Sequence, residues 1–218
     1  MDLKFVKNGF IIDLSVMNTN YIKKVYSFYS PFYNYVFGWI LAPRIKYALS
    51  FTNTKNKKVL EIGIGTGLSL KYYDECDIFG IDISYEMLKK AQKLNGKCSK
   101  NLTLFQMDAC NLGFKDSSFD FVMCAFVLST IPDLEKALKE IWRITKPDGE
   151  IVVVNHFVSK NPVIKYIEKG LDPITKFVGW RTDFSEDKIL APDLFELIDC
   201  KKKNWYSPWK VLYLKPKK

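Results

Sequence analysis

The sequence predicts an α/β fold, a doubly wound parallel sheet closed by an antiparallel C-terminal hairpin, and three observations predict it. First, residues 57–67 read as a buried strand running straight into a glycine turn, Gly63, Gly65 and Gly67, with a helix beginning near Leu68. Second, a further apolar strand over 77–84 reaches Asp82, roughly 20 residues past the glycine turn, where an acidic side chain can take the two hydroxyls of a ribose. Third, strand and helix alternate through to residue 156, which calls for right-handed crossovers within one sheet.

Taken in order, residues 20–49 carry more aromatics than a solvent-facing helix should show. Pro31 divides them into two helical segments, because the residue before a proline avoids the helical region. Most of these rings are expected to pack on the body of the domain, leaving the rest for a pocket lid or a membrane-dipping face. In the glycine turn the missing side chains let the backbone bend sharply and approach a ligand, while the helix behind it offers unpaired N–H groups. A dinucleotide fingerprint, G-x-G-x-x-G, would need its third glycine at Leu68. Gly67 comes one place early, which argues against a nicotinamide or flavin dinucleotide.

Helices are expected over 68–74 and 84–95, the second capped by Ser84 with Met87, Leu88, Ala91 and Leu94 on one stripe. Residues 101–107 form the third strand and leave it at Asp108 and Ala109. Residues 116–128 read as a turn and then a continuous apolar strand, the pattern of a strand covered on both faces at the centre of the sheet. Residues 131–135 open a helix with Leu134, Leu138, Ile141 and Trp142 on its buried side, and Pro147 and Gly149 end it. The fifth strand is 150–156. Residues 157–190 break the alternation and mix aromatic with basic side chains, so the substrate-facing insertion is placed there. A short helix over 193–198 and two strands, 202–206 and 209–214, then close the chain as a hairpin at the sheet edge.

With 218 residues, 48% of them hydrophobic, the chain can bury one substantial core, and a single domain over 1–218 is expected. Its parts are an aromatic helical lid (1–50), a ligand-binding core (57–156), the insertion (157–190) and the hairpin (191–218). The five cysteines lie scattered with no C-x-x-C pair and there is one histidine, so a reducing compartment and no structural metal are expected. No apolar run approaches the roughly 20 residues of a membrane span, and the N-terminus lacks a signal-peptide cleavage site. A cytoplasmic protein, soluble or peripheral to a membrane, is the expectation. The net charge of +9 fits either a lysine-rich proteome or attraction to an anionic membrane surface. Nucleic acid ranks below these, because only Arg44, Arg143 and Arg181 among the 33 basic residues are arginines.

Residues 61–67, 80–84 and 107–109, in that order, resemble the motifs of the class I S-adenosylmethionine-dependent methyltransferases. The resemblance implies a seven-stranded Rossmann-like sheet and S-adenosylmethionine as cofactor. It also implies a cofactor site made by Glu61, Gly63, Gly65, Thr66, Gly67, Asp82, Ile83, Met87, Asp108, Ala109 and Ala125, with Asp108 on the adenine amino group. Across nearly the full length the chain is similar to the bacterial phospholipid N-methyltransferase branch of that family, through residues 26–38, 125–133, 154–157 and 179–184. Two departures stand out: Asn34 replaces an aspartate often found there, and Asp148 interrupts the usual Pro-Gly-Gly turn.

The narrower resemblance implies N-methylation of phosphatidylethanolamine toward phosphatidylcholine by a peripheral, monomeric enzyme. His156, at the carboxyl end of the fifth strand, is the first candidate for orienting the amine or taking its proton. Tyr26 and Tyr33 are candidates to close the pocket and offer ring faces to a methylated ammonium. Tyr29, Trp180 and Arg181 are placed on the lipid, Arg181 on its phosphate. Two other readings stay open: a methyltransferase acting on a quinone, thiol or other small molecule, and a non-catalytic protein that binds the same cofactor.

Overall fold

A computed structural model describes residues 4–7, 10–13, 24, 33–95, 101–158, 184–204, 207 and 209–218. Strands β1 (Lys4–Lys7) and β2 (Phe10–Asp13) form a separate antiparallel pair. The main body contains α1 (Tyr33–Leu49), β3 (Lys58–Ile62), β4 (Asp77–Asp82), α2 (Tyr85–Gln92), β5 (Asn101–Gln106) and β6 (Phe119–Ala125). It continues with α3 (Leu134–Ile144), β7 (Thr145–His156), β8 (Phe195–Lys201) and β9 (Trp209–Pro216). Seven of these strands make one sheet in the order β5-β4-β3-β6-β7-β9-β8. Its β5-β4-β3-β6-β7 part is parallel, and β9 runs antiparallel to both neighbours.

The strand at the centre is β6, as its unbroken apolar run predicts, and alternate residues serve opposite faces of the sheet. Phe121 and Met123 join Leu41, Ile45, Ala48 and Leu49 of α1. Val122 and Cys124 join Ala137, Leu138, Ile141 and Ile144 of α3. The α1 contacts recur at helical spacing, and the Tyr213 hydroxyl anchors the helix by donating to the Ala48 carbonyl at 2.9 Å. Of its aromatics, Tyr47 packs partly against the core, while Tyr35 is 88% and Trp39 74% exposed, one turn apart on the side away from the sheet.

Two predicted helices are absent. Residues 68–74 form only a tight turn, Leu70–Tyr72, because Ser69 and Tyr73 are drawn inward to Glu61 and Asp74 is held by Thr54, leaving too little free chain before β4. The helix expected over 193–198 is instead the start of β8, where Leu197 pairs with Leu214 and a bulge follows before Asp199. As an edge strand, β8 exposes most of its residues, so no two-residue alternation marked it. The predicted strand over 202–206 correspondingly shifts back to 195–201. Ser84 caps α2 as read, accepting from the Met87 N–H at 3.4 Å, and α2 stops at Gln92, short of Leu94. Helix α3, however, ends at Ile144, ahead of Pro147 and Gly149, because the chain enters β7 already at Thr145. Asp133 caps α3 by accepting from the Lys136 N–H at 3.1 Å.

Candidate active site

Parallel strands deliver their carboxyl ends to one edge of the sheet, and there β3, β4 and β6 border a cleft of about 750 Å³. Gly63 and Gly65 form its floor, Asp82, Ile83 and Met87 one wall, and Asp108, Ala109 and Met107 the next. Ala125, Phe126, Val127, Thr130, Ile131 and Pro132 complete it. The glycine turn needs its glycines, since Gly63, Gly65 and Gly67 have φ of 69°, 57° and 80°. A Cβ on Gly65 would meet nothing nearer than the Gly63 carbonyl at 3.9 Å, so that face of the backbone is bare and open to a ligand.

Asp82 closes β4 with its carboxylate turned across the turn. Oδ2 accepts from the Gly65 N–H at 3.0 Å and Oδ1 from the Ser84 N–H at 2.8 Å, so one side chain ties the glycine turn to the start of α2. Burial pushes its pKa up to about 6, against the pull of these backbone donors. Each oxygen keeps acceptor capacity, which suits paired hydroxyls. Asp108 accepts from the Cys110 N–H at 2.9 Å and thereby shapes the turn after β5.

For S-adenosylmethionine, the cofactor the sequence implies, these observations define a fit: a bare backbone floor, a carboxylate at one strand end and another beside an apolar wall. Asp82→Ala is expected to weaken its binding by roughly 1–3 kcal/mol, the range for hydrogen bonds to a charged group. In the unaltered protein, affinity should fall as pH drops through about 6, because protonation of Asp82 removes the charged acceptor. Isothermal titration across pH 5–8 checks both, and a folded Asp82→Ala protein with unchanged affinity would remove the assignment.

Of the residues proposed for this site, Gly63, Gly65, Asp82, Ile83, Met87, Asp108, Ala109 and Ala125 come together around the cleft. Glu61, Thr66 and Gly67 lie beneath it. Glu61 is buried with Oε2 accepting from Ser69 Oγ at 2.6 Å and the Tyr73 hydroxyl at 2.9 Å, and burial raises its pKa to about 7. Gly67 is packed against Leu70 and Leu94. His156 ends β7 at the same sheet edge but does not line the cleft; its ring stands edge-on to Trp209 at 5.3 Å, with Phe126 on Trp209's other contact at 5.1 Å. Tyr26, Tyr29, Trp180 and Arg181 lie outside the described residues, as does the side chain of Tyr33.

Sequence reasoning missed the far wall, Phe126 to Pro132. Phe126 has φ 60°, so the chain leaves β6 abruptly after Ala125, and the Ser129 hydroxyl holds the loop to Asn155 at 3.4 Å. The apolar run through 128 masked that exit.

A family model described as a methyltransferase domain matches residues 60–153. Phosphatidylethanolamine N-methyltransferase of Cereibacter sphaeroides is 33% identical over 172 residues, covering 77% of this chain and 84% of that protein. Demethylmenaquinone methyltransferase of Lactobacillus johnsonii is 35% identical over 146 residues, covering 64% of this chain but only 53% of that protein. Among solved structures, the YcgJ protein of Bacillus subtilis aligns with TM-score 0.58 and 25% identity, over 73% of this chain and 71% of that one. A Thermotoga maritima protein described as a possible histamine N-methyltransferase shares the fold at TM-score 0.70 and 20% identity, over 89% of this chain and 99% of that one.

Proposed function

The chain belongs to the class I S-adenosylmethionine-dependent methyltransferases, and from that premise we propose that it methylates the amine of phosphatidylethanolamine, toward phosphatidylcholine, at a membrane surface. The observation that carries this is the reach of the similarity to the Cereibacter sphaeroides enzyme, which runs through most of both chains.

Bound in the cleft, the cofactor supplies an electrophilic methyl group on a sulfonium. The protein's part is to hold and orient. Asp82 would take the ribose hydroxyls and Asp108 the adenine amino group. Gly63 and Gly65 admit close backbone approach, and Ile83, Met87 and Ala109 offer apolar surface. An amine of lysine-like pKa is mostly protonated at neutral pH and must lose a proton to become a nucleophile. The apolar wall of Phe126, Val127, Ile131 and Pro132 favours the neutral amine by desolvation. His156 orients that amine or receives its proton. Tyr26, Tyr29, Tyr33 and Trp180 remain the sequence's candidates for the head group's ammonium and Arg181 for its phosphate, on side chains outside the described residues.

Membrane association is supported by the net charge of +9 together with Tyr35 and Trp39, which stand exposed one turn apart on α1. No helix among the described residues is long and apolar enough to cross a membrane. The demethylmenaquinone relatives favour a second reading, a quinone acceptor.

One set of vesicles tests these readings. With labelled cofactor, vesicles containing phosphatidylethanolamine and anionic lipid should yield methylated lipid, and the protein should sediment with them and be released as salt screens the charge. Efficient labelling of a demethylated quinone or a thiol with phosphatidylethanolamine untouched would overturn the substrate. Equal sedimentation with neutral vesicles would overturn the electrostatic part of the membrane proposal.

A further inference from the structure

The chain's arginines are not equivalent. Arg143 is fully engaged, with Glu140 at 2.8 Å, Asp116 at 2.7 Å and two backbone carbonyls, so it is a structural clamp between α3 and the loop before β6. Arg44 on α1 is different. Its Nη1 donates to the Ile40 carbonyl one turn back, and its guanidinium lies over the Trp209 ring, 4.8 Å from the centroid. No carboxylate pairs with it among the described residues, and burial lowers its pKa with no acidic neighbour to oppose the effect.

Arg44 faces a second, open groove between α1 and the start of β9. Tyr47, Lys203, Asn204, Trp209 and Lys210 share its walls, and none of the lining residues is acidic. Lys210 is paired with Glu186, which leaves Arg44 and Lys203 as the lining cations with no carboxylate among the described residues. With its guanidinium over the indole and Nη1 turned to the Ile40 carbonyl, Arg44 still has the Nε and Nη2 donors, a planar fork that matches two oxygens of a phosphate. The two pockets are linked by one ring contact: Trp209 of this groove stands edge-on to Phe126 at 5.1 Å, and Phe126 lines the cofactor cleft.

We propose that this groove is an anion site that binds a phosphate group, as a monoester or a diester, through the fork of Arg44 held over Trp209, with Lys203 and Asn204 at its rim. It rests on Arg44 rather than Arg181 and is independent of which acceptor is methylated. The phosphate is either carried by a lipid head group or free in solution.

Titration of the intact protein with inorganic phosphate at low salt tests the site without turnover. Arg44→Gln should weaken binding at least about tenfold, as expected for loss of a charge-assisted pair of hydrogen bonds. Arg44→Lys, which keeps the charge and loses the fork, should fall between it and the unaltered protein. Lys215→Ala, an exposed cation on β9 outside the groove, should bind as before. Sedimentation with phosphatidylglycerol vesicles separates the sources: loss of both phosphate and vesicle binding in Arg44→Gln assigns the site to a lipid head group, and loss of phosphate binding alone assigns it to a soluble phosphate. If Arg44→Gln retains S-adenosylmethionine affinity and binds phosphate like the unaltered protein, or if Lys215→Ala loses as much, the site is overturned. Neither result bears on methylation of phosphatidylethanolamine, which the labelling assay reads separately.

Discussion

Gly63→Ala is expected to destabilise the protein by about 2–5 kcal/mol and to take S-adenosylmethionine binding below calorimetric detection. Two costs combine. A side chain in the left-handed region at φ 69° costs roughly 1–2 kcal/mol. The new Cβ would also lie 2.5 Å from Val127 Cγ2 and 2.7 Å from its Cβ, and overpacking of this kind costs roughly 1–3 kcal/mol. Val127 is β-branched, so it cannot rotate away without replacing one clash by another, and relief must come from moving the loop itself. That loop, Phe126 to Pro132, is the far wall of the cleft.

Gly65→Ala separates the two costs. There the Cβ would enter open space, so stability should fall by only about 1–2 kcal/mol while the added methyl obstructs the ligand's approach. Thermal unfolding and calorimetry on both variants check the pair. A Gly63→Ala protein that melts with the unaltered one would show that the turn and the loop are not packed as described.

The same contrast shows what could be read from the sequence. Three glycines at alternate positions are legible because left-handed backbone at each leaves few other choices, and Asp82 is legible because a strand end at that distance places a carboxylate over the turn. The central position of β6 follows from an apolar run with no polar face. That same lack of period hid where the strand ends. Phe126 is apolar like its neighbours, yet its positive φ turns the chain out of the sheet and into the cleft wall, and hydrophobicity carries no sign of φ. The edge strand β8 was hidden for the opposite reason. Its residues are mostly exposed, so its conformation is imposed by pairing with β9 rather than by its own pattern. Glu61 was placed at the cofactor by its motif position, but its contacts are Ser69 and Tyr73 beneath the turn, partners that only the folded loop brings to it.

His156→Ala is expected to lower kcat by roughly a hundredfold or more while changing S-adenosylmethionine affinity little, the range for loss of a general base or an orienting partner. On the proposed amine acceptor, the substrate would arrive protonated, and the apolar loop of Phe126, Val127, Ile131 and Pro132 would favour the neutral form without itself taking the proton. His156 is the one histidine in the chain, it ends β7 at the ligand-binding edge, and Trp209 fixes its ring from one side. Because it does not line the cofactor cleft, its effect should fall on the acceptor alone. Two further measurements separate its roles. If it accepts the proton, added imidazole should restore part of the activity of His156→Ala, and His156→Gln should stay slow. If it only orients the amine, His156→Gln should recover much of kcat and imidazole should do nothing. Unchanged kcat in both variants would mean that the proton leaves by another route and that His156 serves the packing of Trp209 alone.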